Sequence, residues 1–106
     1  MKFHIKATGF ELTPALDQFI REKFGGLAKF LVRWERDNEV LIKIEVAKNT
    51  KHHNKGNVFY AEANLDLPKL MIRVEEMGED LHAAIDKLKD RLKKELLRIK
   101  EKLADH

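Results

Sequence analysis

The stretch FYAEANLDLPKLMIRV, Phe59 to Val74, decides the fold. Phe59, Ala61, Ala63, Leu65 and Leu67 alternate with Tyr60, Glu62, Asn64 and Asp66, which is the period of a strand with one apolar face. Leu67-Pro68-Lys69 is a turn, because proline presets the backbone for one. Leu70, Ile72 and Val74 then make another strand with the same alternation. A sheet that is apolar on one side must be covered by another layer, and the rest of the chain supplies both strands and cover.

Upstream, Val40, Ile42, Ile44 and Val46 alternate with Leu41, Lys43, Glu45 and Ala47. Phe3, Ile5 and Ala7 alternate with His4, Lys6 and Thr8 and stop at Gly9, giving a half-buried first strand. Between these strands, Thr13-Pro14 is a helix start, a capping hydroxyl followed by proline at the first helical position. Leu16, Ile20, Phe24, Leu27 and Leu31 keep helical spacing, interrupted by Gly25-Gly26. After Gly78, the charges of Glu79 and Asp80 suit a helix N-terminus. Leu81, Ile85, Leu88, Leu92, Leu96, Ile99 and Leu103 then form one apolar stripe. The order is β-α-β-β-β-α. The expected architecture is α+β, a four-stranded, mostly antiparallel sheet with two helices on one face. The last helix would span roughly 36 Å at 1.5 Å per residue, against about 27 Å for an eight-residue strand. Its C-terminal turns are expected to overhang the sheet, leaving Leu97, Ile99 and Leu103 less buried.

The chain has 106 residues, enough for one domain with one modest core. Charged residues make up 37%, well above the usual ~25%, yet the net charge is only +3. Any basic function must therefore come from how charge is distributed. Cysteine is absent, which excludes disulfides, thiolate metal sites and cysteine nucleophiles. The N-terminus MKFHIKATGF is too polar for a signal peptide, and no apolar run approaches the ~18 residues of a membrane span. A soluble cytoplasmic protein is expected.

The distribution is most uneven from Asp86 to Lys102. Lys87, Lys89, Arg91, Lys93, Lys94, Arg98, Lys100 and Lys102 stand against Asp86, Asp90, Glu95 and Glu101. Arg91, Lys94, Arg98 and Lys102 share one helical face with Lys87, unbroken by acid. Basic residues near a helix C-terminus also complement its dipole, but that effect fades within the last turn, and Arg91 and Lys94 lie further in. Arg21, Lys23, Lys29, Arg33 and Arg36 lie on and after the first helix, and Lys48, Lys51, His52, His53 and Lys55 in the segment before Phe59. If the helices pack side by side, these groups form one surface. The acids Glu75, Glu76, Glu79 and Asp80 cluster elsewhere in the sequence. Such charge polarity points to a polyanion partner.

With these residues in view, the sequence resembles the ribosome hibernation promoting factors, also called ribosome-associated translation inhibitors. The resemblance covers nearly the whole chain. It is carried by LTPAL (Leu12–Leu16), by EVAKNTKHHNKGNVFYAEANLDLP and by EDLHAAIDKLKDRLKKEL (Glu79–Leu96). It implies a fold similar to a double-stranded-RNA-binding domain with an added first strand, and a single ribosome-binding domain over 1–106. It also implies a role. Such a protein binds the small ribosomal subunit and its rRNA in the channel used by messenger RNA and the A- and P-site transfer RNAs, and so blocks initiation. The RNA-binding positions it implies are Lys23, Lys29, Arg91, Lys94, Arg98 and Lys102, to which the shared basic face adds Lys87. It implies no cofactor and no small-molecule substrate, and a monomer. This chain departs from the family at Gly26, where relatives often carry a basic residue, and in a longer, more basic Lys48–Asn57 segment. Ribosome pairing is expected only through a C-terminal domain that this sequence does not contain.

Other constellations are less productive. His52-His53 points to opposite sides of an extended chain and has no cysteine or well-spaced carboxylate to complete a metal site. His4 reads as a surface residue, His82 as packing or a base contact, and Trp34 as a cover for the end of the core or, beside Arg33 and Arg36, a stacking partner for a base. Serine is absent and no phosphate-cradling glycine loop occurs, so an enzyme is not expected. The alternative readings are a general double-stranded-RNA-binding domain without ribosome preference, and a protein-interaction module using Leu97, Ile99 and Leu103.

Overall fold

The computed structural model describes residues 1–48 and 58–104. Strand β1 (Lys2–Thr8) is followed by helix α1 (Pro14–Gly25), β2 (Leu41–Lys48), β3 (Phe59–Leu67), β4 (Leu70–Gly78) and helix α2 (Leu81–Ala104). The sheet order is β1-β2-β3-β4. β1 pairs with β2 in parallel, and the other two pairings are antiparallel. A parallel pair needs a crossover of a dozen or more residues, and α1 with its flanking turns supplies it. The expected element order and mixed, mostly antiparallel sheet are found. The proposed loop bases Lys51, His52, His53 and Lys55 lie outside the described residues.

The two stretches of alternation first read from the sequence pair with each other. Leu67 faces Leu70 across a two-residue turn, and the register runs back to Phe59 opposite Gly78. Lys69 takes a φ of 61° at the turn, a left-handed conformation that Pro68 before it and the tight reversal require. The inner face of the sheet is Ile42, Ile44, Val46, Ala61, Ala63, Leu65, Leu67, Ile72 and Val74. Ile20 and Phe24 from α1, and Ala84, Ile85, Leu88, Leu92 and Leu96 from α2, close over it. No polar or charged side chain among the described residues is fully buried.

Helix α1 starts as expected. The Thr13 hydroxyl accepts from Leu16 N at 3.2 Å, with Pro14 in the first turn. Its apolar spacing predicts continuation to Leu31, but the helix ends at Gly25 and is replaced by a 3-10 turn over Ala28–Phe30. Two successive glycines lose the most backbone entropy in a helix and offer no side chain to pack. Leu27 and Leu31 are nonetheless buried, so the core contacts the spacing foretold survive the change of helix type. At α2, Asp80 is the cap, its Oδ1 accepting from Ala83 N at 2.8 Å. The far end of α2 overhangs: Leu96 is fully buried, Ile99 half-buried, and Leu97 and Leu103 are 39% and 40% exposed.

The outer face of the sheet is polar and internally compensated. Arg73 pairs with Glu62 at 3.0 Å, Thr8 donates to Glu45 at 2.6 Å, and Tyr60 donates to Glu75 at 2.5 Å. Partial burial, and then the hydrogen bond to Glu75, push the Tyr60 phenol up to about 12. The folded state therefore favours the protonated phenol. That contribution is fully present below the ordinary value of 10.0 and is lost as pH rises from there through about 12. As Tyr60 is the only tyrosine, an absorbance titration reads it directly. A single phenolate transition near 12, lowered in Glu75→Gln, is expected. A transition at the ordinary value would show the pairing to be absent.

Candidate functional site

Residues of α2 advance by ~100° each, so the apolar stripe that packs on the sheet divides the remaining surface into two flanks and an outer ridge. Lys87, Arg91, Lys94, Arg98 and Lys102 lie on one flank. Lys89, Lys93 and Lys100 lie on the other, and Asp90, Leu97 and Glu101 run along the ridge between them.

The first flank faces β4. Lys87 Nζ donates to the Met77 carbonyl at 3.4 Å, and Arg91 Nη1 meets Glu76 Oε1 at 3.2 Å. Arg98 makes a two-pronged bond to Glu95, at 2.8 and 3.3 Å, and that bond raises its already high pKa. Lys94 and Lys102 have no carboxylate partner among the described residues. An open groove of about 490 Å³ runs along this flank, lined by Glu76, Lys87, Asp90, Arg91, Lys94 and Glu95. The guanidinium groups remain available, with Arg91 58% and Arg98 52% exposed.

The second flank faces α1. Lys23 Nζ is 2.6 Å from Asp86 Oδ1. That oxygen is shielded from water although half of the Asp86 side chain is exposed, and the approach is not aligned as a hydrogen bond. The exposed His82 ring meets the Phe19 ring edge-on, their centres 4.5 Å apart. Lys89 Nζ is 3.9 Å from the point where a Cβ on Gly26 would sit. Beyond it, Lys29, Lys93 and Lys100 surround the Phe30 ring.

Of the residues expected to bind RNA, Lys87, Arg91, Lys94, Arg98 and Lys102 are brought together, whereas Lys23 and Lys29 are not joined to them. α1 packs on the opposite flank, so the anticipated single basic surface is two rows separated by the ridge of α2. Lys89, Lys93 and Lys100 were missed as a group. Their spacing of four and seven is legible in the sequence, whereas their convergence with Lys29 on one flank depends on how α1 packs.

The acidic residues are not remote either. The link from β4 to α2 is only Glu79 and Asp80. The helix therefore doubles back along the strand it follows and sets Arg91 beside Glu76. No group of three or more His, Asp or Glu suited to a metal ion occurs among the described residues. No helix among them is long and apolar enough to cross a membrane.

Two basic rows on a helical layer, opposite a charge-compensated sheet face, are a surface suited to a polyanion. Comparison with known proteins accords with that reading. The chain is 35% identical to a ribosome hibernation promoting factor of Klebsiella oxytoca and 32% identical to one of Escherichia coli K12, over 106 residues and the full length of both chains in each case. The crystal structure of the N-terminal domain of Protein Y from Thermus thermophilus superposes with a TM-score of 0.73 at 29% identity, over 93% of this chain and 99% of that one. The family model described as Sigma 54 modulation protein / S30EA ribosomal protein matches residues 3–104, and the chain belongs to that family.

Proposed function

We propose that this chain is a translation inhibitor that binds the small ribosomal subunit in the channel of messenger RNA and the A- and P-site transfer RNAs, and blocks initiation by occupying it. The observation that carries the reading is the row Lys87, Arg91, Lys94, Arg98, Lys102 on a helix whose opposite flank gathers Lys23 and Lys29 with further lysines. Residues 1–106 act as one ribosome-binding domain, monomeric, in the cytoplasm, with rRNA as the partner. No bond is made or broken. Phosphate positions the protein through lysine point charges and arginine forks, and inhibition is competition for space. Membership of the family and the names of the relatives support this over a general duplex-RNA binder.

Co-sedimentation with purified small subunits across a salt series tests it. With about six phosphates contacted, the log-log slope should lie near −4 to −5. Messenger RNA with initiator transfer RNA should displace the protein, and free duplex RNA should not. Displacement by duplex RNA as effective as by the channel ligands would refute the proposal.

The internal ion pair at Arg91 has a consequence of its own. Glu76 competes with phosphate for the Arg91 guanidinium. An exposed pair of this kind is worth ~1 kcal/mol or less, so Glu76→Gln should cost little stability. It should tighten subunit binding by up to about 5-fold, the factor that such an energy represents. Unchanged or weaker binding in Glu76→Gln would place Arg91 outside the interface.

A further inference from the structure

Phe30 is half-buried in the 3-10 turn that Gly25-Gly26 impose, and it leans on α2. The ammonium groups of Lys29, Lys93 and Lys100 lie 5.4, 5.8 and 6.0 Å from its ring centre. None of the three has a carboxylate partner among the described residues. One cation satisfies the negative face of an aromatic ring. A second and a third add mutual repulsion, which a bound anion would relieve. The cluster also lies on the α1 side of α2, apart from the row that contains Arg91.

We infer that Phe30, Lys29, Lys93 and Lys100 form a subsite for one unpaired nucleotide of single-stranded RNA, its base against the ring and its backbone phosphate among the ammonium groups. This rests on the proposed RNA-binding function and adds to it a preference for splayed-out bases. A flat apolar ring with three ammonium groups within 6.0 Å of its centre offers a nucleotide both of the contacts that single-strand binders use, stacking and charge. A base held within a duplex has no free face to present to the ring. Stacking of this kind is tolerant of base identity, so the subsite discriminates single-stranded from paired RNA and not one sequence from another.

The test uses the full chain with a fluorescent oligouridine of about eight nucleotides, a duplex RNA of equal length, and uridine monophosphate. Phe30→Leu keeps an apolar side chain in the core and removes the ring. It should weaken oligouridine binding by about 5- to 100-fold without changing the salt slope, and leave duplex binding within twofold. Phe30→Tyr should restore the oligouridine affinity. Lys93→Gln with Lys100→Gln should instead lower the slope by about 0.7, the value for the one single-strand phosphate that the subsite holds. Uridine monophosphate should compete only weakly, since it lacks a continuing backbone. The inference is overturned if folded Phe30→Leu binds oligouridine as the parent chain does, if duplex and single strand weaken equally, or if the monophosphate competes as well as the oligomer. Loss of small-subunit binding in the parent chain would instead refute the proposed function. Parent binding that Phe30→Leu leaves intact refutes the subsite alone.

Discussion

Replacing Arg91 and Lys94 together by glutamate is expected to weaken small-subunit binding by about 10²- to 10⁴-fold. Each residue offers a charge-assisted bond to phosphate, worth ~1.5–3 kcal/mol, and the reversed charge adds repulsion. Two such losses give ~3–6 kcal/mol, which is that range of affinity. The fold should survive. Arg91 is 58% exposed, its ion pair with Glu76 is a surface pair, and Lys94 is exposed. Thermal unfolding of the double variant should lie within a few degrees of the parent. Affinity within threefold of the parent, in a variant with an unchanged transition, would remove this flank from the interface. Among the described residues of the helical layer, the α1-side lysines would then be the remaining candidates for RNA contact. A neutral pair, Arg91→Gln with Lys94→Gln, should fall between parent and reversal, because it removes attraction without adding repulsion.

Gly78→Ala is expected to destabilise the protein by about 3 kcal/mol, towards the upper end of what an inserted methyl costs in a packed site. A Cβ on Gly78 would sit 2.6 Å from Ala84 N, and 3.0 Å from both Ala84 Cα and Asp80 O. All three are backbone atoms of the first turn of α2 and its cap, so no flexible side chain can yield. To admit the methyl group, the N-terminus of α2 must lift from the end of β4. That disturbs the Asp80 cap and the burial of Ala84 and Ile85 together. A loss of that size lowers Tm by roughly 12–20 °C in a domain of this length. Gly25→Ala is the control. A Cβ there meets nothing within 4 Å, and any change should be within ~1 kcal/mol. Equal stability of the two variants would show that the β4–α2 junction relaxes freely.

The junction at Gly78 also shows where sequence reading stops. The alternation of Phe59–Leu67 and Leu70–Val74, the Thr13-Pro14 start of α1 and the stripe from Leu81 to Leu96 were legible because each is a local rule. A side chain's period along its own element decides whether it faces the core. The overhang of α2 was legible for a similar reason, since element lengths follow from residue counts. The end of α1 was less so. Leu27 and Leu31 keep an apolar spacing that helix and 3-10 turn both satisfy, and the decision lay with two glycines.

The charged surface divides along the same line. That Arg91, Lys94, Arg98 and Lys102 share a face is a property of one helix, and the sequence alone determined it. Which neighbours flank that face is not. Only the tertiary structure decided that Glu76 sits against Arg91, that Lys23 and Lys29 lie across α2 from the Arg91 row, and that Lys29, Lys93 and Lys100 converge on Phe30. Residues from separate elements meet according to how the elements pack. Packing is set by the fit of many buried side chains at once, whereas the periodicity of a charged row is carried by the backbone of the single helix that bears it.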